Sequence, residues 1–366
     1  MNEVGEVTEA DMAVSPQSVR LPEHAPHCEI GCAANVAKRV GVDFPRHVAG
    51  SQWALRTFVR EPGDIPQPML DRTHLTFGAH GEGWPTALAR ITDGTVHDRR
   101  VPRDELPEVL RDDLMRGGSL LFLEDRGCPW LHSAGPGLLP HTVTPDGVDA
   151  AGVWQLIEGH SWWAGRYPMP EADLLAAAYP DPDPHHVAGR VLSLRLALTP
   201  ERRADLDALA LERLRDSVRA YLVGDGGRID TPAGTLVWTD GRTAAAELVE
   251  RLRGWEYLCA LAAADGTGVE QGIDIAVGRY LFLGLADELA YTSYARAGTR
   301  RLTRHLGALA DVGDEHLPDV VWQRAWRSAQ RFYRSLRGEH FDALLRDLDA
   351  AGAADAACAR RLADVL

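Results

Sequence analysis

The pattern of apolar residues changes at residue 199, and this change limits how the chain can fold. Residues 191–198, VLSLRLAL, alternate apolar and other side chains over most of their length, as a half-buried strand does. Thr199 is a good helix N-cap and Pro200 suits the first helical position, and the apolar residues that follow have helical spacing. With 366 residues the chain exceeds the usual size of one domain. We therefore expect a flexible leader at 1–20, an α+β domain at 21–198 and a mostly helical domain at 199–366.

Local signals divide the expected domains further. Gly41 closes a predicted helix that begins at Cys28, and Gly117-Gly118 break the chain before a predicted strand at 119–123. A hairpin follows, with one strand from His141 and the other at 153–158. Further helices are predicted at 85–91, 104–116, 171–178, 200–222, 242–252, 275–295, 300–310, 318–337 and 340–351, with a short apolar run at 75–77.

The composition excludes several classes of protein. Hydrophobic residues make up 45 % of the chain, enough for a substantial core, and the net charge of −14 argues against nucleic acid or an anionic membrane as the main partner. The acidic N-terminal segment does not resemble a secretory signal, and no run approaches the ~20 apolar residues that span a bilayer. Five scattered cysteines do not form a disulfide framework, so we expect a cytoplasmic protein with free thiols.

The segment 27–41, HCEIGCAANVAKRVG, carries the most chemical information. Cys28 stands at the first turn of its helix, where unpaired N–H groups and the helix dipole are expected to lower the pKa of a thiol. His27 beside it could assist. Cys32 recurs with Val36 and Val40 on one stripe and is interpreted as a buried core residue. A zinc site from His27, Cys28 and Cys32 is an alternative, but no second Cys/His pair has ligand spacing.

A base and a carboxylate are predicted to meet on the hairpin. If its turn centres on Asp149–Ala150, antiparallel pairing places His141 opposite Glu158. A cysteine nucleophile needs such a base and a group that orients it. Pro145 and the long turn leave the register open by a residue or two, so His160 and Asp146 remain alternatives to Glu158. The simpler interpretation is a cross-strand pair on a solvated face.

These features together resemble the papain-like fold of bacteriocin-processing peptidases and, more closely, the N-terminal domain of the butirosin biosynthesis protein H family. The shared motif is His27-Cys28 opening a helix, Asn35 seven residues after the cysteine and Gly41 thirteen after it. The later His and acid of the family match His141 and Glu158, where Asp is commoner. The glycine-rich loop of the family is reduced here to Gly50.

The resemblance implies an acyltransferase of secondary, antibiotic-type metabolism. Such enzymes move an acyl or aminoacyl group from the phosphopantetheine thioester of an acyl or peptidyl carrier protein to a small amine or hydroxyl acceptor, without a metal or other cofactor. Papain-like peptidases place a Gln six residues before the Cys, and here that position is Pro22. The oxyanion is therefore expected to use the Cys28 N–H and a second donor, for which Gln52 is a candidate.

Three further groups are candidates for binding. Trp162 and Trp163 follow the hairpin and could wall an acyl pocket, although tryptophans more often belong to the core. Arginines spaced three or four residues apart in the helix 318–337 could dock an acidic carrier, and the simpler interpretation is a solvated face with ion pairs. These arginines are Arg324, Arg327, Arg331 and Arg334.

Two other functions stay open from the sequence. The same Cys, His and acid would serve a thioesterase, an amide hydrolase or a macrocyclase, because the acceptor depends on pocket shape and water exclusion. A degenerate papain-like domain that binds a carrier or peptide without catalysis is the other alternative.

Overall fold

The computed structural model contains two compact units, and each is described by itself. Unit 1 comprises residues 1–42 and 92–199, and unit 2 comprises residues 43–91 and 200–366. The structure describes residues 27–61, 84–131, 140–160, 163–183, 187–224, 226–231, 234–254 and 275–366. The expected leader at 1–20 and the apolar run at 75–77 lie outside these ranges.

Unit 1 is an α+β unit built on one antiparallel sheet. The six strands lie in the order β2-β7-β3-β4-β5-β6. The last of these strands in the sequence, β7, therefore lies between β2 and β3. β3 is central and almost fully buried, as expected for a strand covered on both faces. The elements of unit 1 are α1 (Cys28–Arg39), β2 (Thr95–Arg100), α3 (Leu106–Arg116), β3 (Gly117–Glu124), β4 (Pro140–Val148), β5 (Val153–Glu158), β6 (Gly165–Pro170), α4 (Glu171–Ala178) and β7 (Arg190–Arg195).

Side-chain alternation assigns the two faces of this sheet to different helices. Thr144 in β4 donates a hydrogen bond from its hydroxyl to the Cys32 carbonyl, so this face of β4 meets α1. Val143 lies on the other face, in a core cluster with Leu106 and Leu110 of α3 and with Leu174 of α4. Because strand side chains alternate, Thr142 shares the α1 face with Thr144, and His141 shares the opposite face with Val143.

Unit 2 is mostly helical and also contains a small sheet. Three antiparallel strands lie in the order β1-β9-β8. Among the helices of the described residues, none combines the length and the apolar character that crossing a bilayer requires. The elements of unit 2 are β1 (Arg56–Glu61), α2 (Trp84–Thr92), α5 (Pro200–Val223), β8 (Gly226–Thr231), β9 (Gly234–Asp240), α6 (Ala244–Arg253), α7 (Ile275–Leu302), α8 (Pro318–Ser335) and α9 (Gly338–Val365).

Residues 43–91 group with unit 2, whereas the sequence suggested a continuous first domain at 21–198. The reason is visible at Gly50, where a Cβ would come within 2.4 Å of the Gly298 carbonyl carbon in α7. Thr299 of the same helix donates a 2.8 Å hydrogen bond to the Gly50 carbonyl. β1 also pairs with β9 along its whole length. The later boundary, after Thr199, falls where the composition changes.

Two details of the helical region differ from the sequence expectation. The strands β8 and β9 lie inside a stretch that was expected to be mostly helical. The helix expected at 300–310 is not a separate element, because α7 continues to Leu302 and a short 3-10 turn at Arg304–Leu306 follows.

Candidate active site

Cys28 is the first residue of α1, and His27 caps that helix. The His27 backbone is extended, at φ −139° and ψ 138°, and its Nδ1 accepts a 3.1 Å hydrogen bond from the Glu29 N–H. One of the unpaired N–H groups of the first turn is thereby satisfied. His27 is therefore a capping residue, and its Nδ1 lone pair is engaged. The assisting role that the sequence suggested for His27 gains no support from this contact.

The start of α1 touches the end of β5 through two glycines. A Cβ on Gly31 would lie 2.0 Å from the Gly159 carbonyl oxygen, and a Cβ on Gly159 would lie 2.3 Å from the Gly31 carbonyl carbon. Neither position has room for a side chain. This backbone contact brings the first turn of α1, with Cys28, to the chain segment that follows Glu158.

His141 and Glu158 form a hydrogen-bonded pair through Nε2 and Oε2. The predicted register was wrong by two residues, because Glu158 is opposite Val143 and the ladder shifts between Pro145 and Gly147. A shift of two keeps every side chain on its original face, so His141 reaches Glu158 diagonally. The predicted contact thus forms in spite of the register. The hairpin pair is also buried, with His141 7 % and Glu158 0 % exposed, so a solvated face was the wrong alternative.

Glu158 is held from a second side. Its Oε1 accepts a 2.7 Å hydrogen bond from the backbone N–H of His160. Of the three candidates for the acid, Glu158 is therefore the one that contacts His141. Asp146 forms ion pairs of 2.7 Å with Arg39 and 2.8 Å with Arg166 instead.

The Cys28 thiol is buried, and its surroundings favour the neutral form. It is 8 % exposed. Its pKa is raised from 9.0 to about 12, mainly by burial and next by the negative charge of Glu158. Hydrogen bonds from the backbone and side chain of Thr142 act in the opposite direction, and Glu29 adds a smaller increase. The expected lowering of the pKa was wrong, because desolvation exceeds what the helix terminus supplies.

Thr142 is the contact that the sequence analysis missed. It follows His141 on β4 and points to the α1 face, so it meets the thiol directly, while His141 turns to Glu158. The described contacts include no hydrogen bond between the His141 ring and Cys28. The alternation of side chains along β4 could have indicated that Thr142 contacts Cys28. This inference would have required knowing which face of the sheet α1 covers.

Aromatic rings cover the His141–Glu158 pair. The Trp163 ring meets His141 edge-on, with centroids 6.2 Å apart, and lies 4.8 Å from the His160 ring. Tyr167 donates a 2.7 Å hydrogen bond to the Trp163 carbonyl and stacks on Trp130 at 4.4 Å. Burial raises the pKa of Tyr167, with a smaller contribution from Glu158. Trp163 is thus beside the pair as predicted, and Trp162 lies outside the described residues. His160, the alternative to Glu158, packs its ring on Trp163 and bonds Glu158 through its backbone.

Cys32 and Gln52 are accounted for by packing. The Cys32 thiol donates to the Thr142 carbonyl at 3.3 Å and is fully buried, in agreement with its assignment to the core. It does not join His27 in a metal site, and the described residues contain no group of three His, Cys, Asp or Glu side chains arranged to hold a metal ion. Gln52 belongs to unit 2, where it is fully buried and accepts a hydrogen bond from Tyr291. The oxyanion role suggested for Gln52 gains no support from this position.

The candidate docking arginines lie on α8 in unit 2. All four are exposed, and none forms an ion pair with another described residue. The tryptophans of the same helix differ, since Trp322 is buried and Trp326 is half-buried. The four arginines are Arg324, Arg327, Arg331 and Arg334.

Comparison with known proteins adds no assignment. No protein-family model matches the chain. No curated protein is significantly similar to it. The α+β architecture of unit 1 and the geometry of Cys28, Thr142, His141 and Glu158 are therefore the basis for a functional proposal.

Proposed function

We propose that the chain is a cysteine acyltransferase with a papain-like catalytic unit. In this proposal Cys28 accepts an acyl group from a carrier-protein thioester, and His141 and Glu158 assist its transfer to an amine or hydroxyl acceptor in secondary metabolism. The observation that carries the proposal is the buried His141–Glu158 hydrogen bond, which lies one residue from Thr142, the group that contacts the thiol. An imidazole oriented by a carboxylate, on the strand that contacts a cysteine at a helix start, supplies the groups that nucleophilic catalysis requires.

The uncommitted nitrogen of His141 defines its role. Nε2 is bonded to Glu158, so Nδ1 is the nitrogen that can exchange protons with the reaction. In the first step Nδ1 takes the Cys28 proton as the sulfur attacks the thioester carbonyl. The carrier thiol leaves with that proton, and an acyl-Cys28 thioester remains. In the second step Nδ1 takes a proton from the acceptor, which attacks the acyl group, and Cys28 leaves and recovers its proton.

The raised pKa of Cys28 sets the order of events. Because burial and Glu158 keep the thiol neutral, the proton must move to His141 as the substrate engages rather than before. His141 lies on the face of β4 opposite α1 and bonds only Glu158 in this structure, so the imidazole must turn around the start of β4 to reach the thiol. Hydrogen bonds in an unliganded site are often long and tighten on substrate binding. Thr142 supplies the hydrogen bonds that stabilise the sulfur anion as it forms.

Intact-mass spectrometry after incubation with an acyl-N-acetylcysteamine thioester tests the proposal. The native chain should gain one acyl group, mapped to Cys28. Cys28→Ala should abolish the adduct, and His141→Ala should slow its formation by about 10²-fold or more. Cys32→Ala is the matched control, because Cys32 lies one turn along the same helix and faces the Thr142 carbonyl. An adduct that persists in Cys28→Ala would overturn the proposal.

The acceptor is assigned by a second measurement. Decay of the acyl-Cys28 adduct is followed with and without amine acceptors in the buffer. Faster decay with appearance of an acylated amine supports transfer. Decay at the same rate in water alone assigns the chain to thioesterase or amide hydrolase chemistry, and a cyclic product from a bifunctional acyl thioester assigns it to macrocyclisation.

One observation favours a second candidate, a binding protein without catalysis. The thiol is 8 % exposed and its pKa is raised to about 12, which is typical of a structural cysteine. A chain of this kind would bind a carrier or peptide and never form an acyl adduct. The candidates separate in one experiment, because only the catalytic chain accelerates loss of the thioester.

A further inference from the structure

The helix α8 carries an unusual excess of positive charge. Between Val320 and Ser335 it contains four arginines and no acidic residue, although the chain as a whole has a net charge of −14. The only acid of the helix is Asp319, which is buried and pairs with Arg300 at 2.9 Å. The surface that α8 presents is therefore locally basic on an acidic protein.

The arginines of α8 are exposed and available. Arg324, Arg327, Arg331 and Arg334 form no ion pair with any residue in the described ranges. This is not general for unit 2, where eight other arginines pair with carboxylates within the same unit. These pairs include Arg46–Asp207, Arg251–Glu247, Arg253–Asp349, Arg296–Asp355, Arg300–Asp319 and Arg361–Asp311.

The exposed surface of α8 contains the residue types that are common at protein–protein interfaces. Trp326 and Tyr333 are half-buried and directly precede Arg327 and Arg334 on the helix, and Arg, Trp and Tyr are the residues that carry most binding energy at protein interfaces. We call this surface of four arginines with Trp326 and Tyr333 the basic face.

An apolar recess adjoins the basic face at Arg324. Its volume is about 550 Å³, and its wall is formed by Val321 of α8 and by Ala350, Ala354 and Ala357 of α9. Glu315 and the Asp311–Arg361 ion pair complete the rim. A recess of this size accepts an apolar side chain from a partner that the arginines hold by charge.

We propose that the basic face and its recess dock an acidic protein, namely the carrier that delivers the acyl group in the proposed function, on which this inference rests. Charge complementarity selects this occupant. Carrier proteins are generally acidic and compact, so a few carboxylates on one helix can pair with four arginines. Nucleic acid or an anionic membrane would extend past the face and meet the repulsion of a chain with net charge −14.

The test measures binding apart from chemistry. Full-length Cys28→Ala is titrated with a fluorescently labelled holo acyl carrier protein at 50 mM and at 300 mM NaCl. Arg327→Glu with Arg331→Glu should weaken binding about tenfold or more at low salt, and the difference should shrink at high salt because exposed charges are screened. Ala357→Leu, which fills the recess without changing charge, should weaken binding at both salt concentrations.

Control variants distinguish a loss of the basic face from a change in net charge and from a loss of folding. Arg219→Glu with Arg360→Glu makes the same change in charge at exposed sites on α5 and α9 and should alter the Kd less than about twofold. If the α8 reversal disturbs folding by circular dichroism, Arg327→Gln with Arg331→Gln replaces it and should give a smaller loss in the same direction.

The outcomes distinguish this inference from the proposed function. Equal carrier binding by native and reversed chains, or saturable binding of single-stranded RNA in place of the carrier, overturns the docking surface. The acyl adduct from the small thioester tests Cys28 alone and should be unchanged by the α8 reversal. Carrier binding through α8 without any adduct would retain the surface and reject the acyltransferase.

Discussion

Two buried pairs of a basic and an acidic side chain, one in each unit, differ in how many hydrogen bonds they form. In unit 2, Arg296 donates to both oxygens of Asp355 at 2.9 and 2.6 Å and to the carbonyls of Gln52 and Trp53. The guanidinium also stacks 4.1 Å from the Trp53 ring. In unit 1, Glu158 is hydrogen-bonded to His141 and to the His160 N–H, but Nδ1 of the imidazole has no hydrogen bond with another described residue. The comparison teaches that a pair whose polar atoms are all hydrogen-bonded, as in Arg296–Asp355, stabilises the fold. A pair that leaves one nitrogen without a hydrogen bond, as in His141–Glu158, can take part in proton transfer.

Breaking the Arg296–Asp355 pair should have the largest effect. Arg296→Met leaves Asp355 charged and buried without its partner, so the free energy of unfolding of unit 2 should fall by about 3–5 kcal/mol in urea titrations. Arg296→Met with Asp355→Leu should recover much of this loss. Arg253→Met, which removes exposed pairs with Glu250 and Asp349, is the control and should cost less than about 1 kcal/mol. A loss as small as the control would mean that the pair contributes specificity rather than stability.

The second largest effect should come from disturbing the Gly31–Gly159 backbone contact, which lies beside the His141–Glu158 pair. Gly31→Ala drives a Cβ into the Gly159 carbonyl, and we expect a loss of about 1–3 kcal/mol of stability. Gly147→Ala provides the control, since its added Cβ meets no atom within 4 Å. Thermal unfolding followed by circular dichroism measures both. A Gly31→Ala chain as stable as Gly147→Ala would show that α1 can move away from β5.

Neutralising Glu158 should change two thiol reactions in opposite directions. Removing its charge lowers the pKa of Cys28, so Glu158→Gln should speed iodoacetamide alkylation of Cys28 at pH 8 by several-fold, as measured by peptide mapping. The same change removes the group that holds His141, so acyl-adduct formation should fall by about 10- to 100-fold.

Glu29→Gln is the control for that experiment. It removes a smaller source of the raised pKa without touching His141, so alkylation should rise slightly and adduct formation should stay unchanged. If Glu158→Gln slowed both reactions equally, Glu158 would be acting on access to the thiol rather than on charge and orientation.

The smallest expected effect is a pH dependence of stability. The Cys28 pKa rises from 9.0 to about 12 on folding, so the unfolded chain loses this proton first as the pH increases. The stabilisation is complete below about pH 9 and is lost between pH 9 and 12, at up to about 1.4 kcal/mol per pH unit. Cys28→Ala should therefore lose stability less steeply than the native chain from pH 9 to 10.5 in denaturant titrations. Parallel curves would mean that folding does not raise the pKa of Cys28.

The sequence identified the elements of unit 1 better than their chemistry. The helix at Cys28, the strand before Glu124, the hairpin and the helix at 171–178 could be predicted from caps, glycines and alternation. The His141–Glu158 contact survived an error in register because Glu158 pairs with Val143, two residues from the predicted partner, and an even difference keeps His141 on the same face. The papain-like fold and the acyltransferase activity remain predictions.

The errors have one common origin, which is that tertiary packing does not appear in local sequence. The direction of the Cys28 pKa depends on how deeply α1 lies against β4, and no local signal reports that depth. No local sequence pattern in residues 43–61 indicates that they pack against α7 rather than against the strands that follow them in the sequence. Trp53 and Gln52 read as ordinary loop residues, yet their carbonyls are bonded by Arg296, far along the chain.

The contact of Gly31 with Gly159 has a consequence for recognising other chains of this kind. Two backbones touch where a side chain on either would collide, so each glycine is required by the other. The two glycines therefore form a sequence signature that must occur as a pair. One follows the helix-opening cysteine by three positions, and the other directly follows the acid of a distant hairpin. Searching genomes for both at once should recover proteins with this helix-to-strand junction even where the rest of their sequences have diverged.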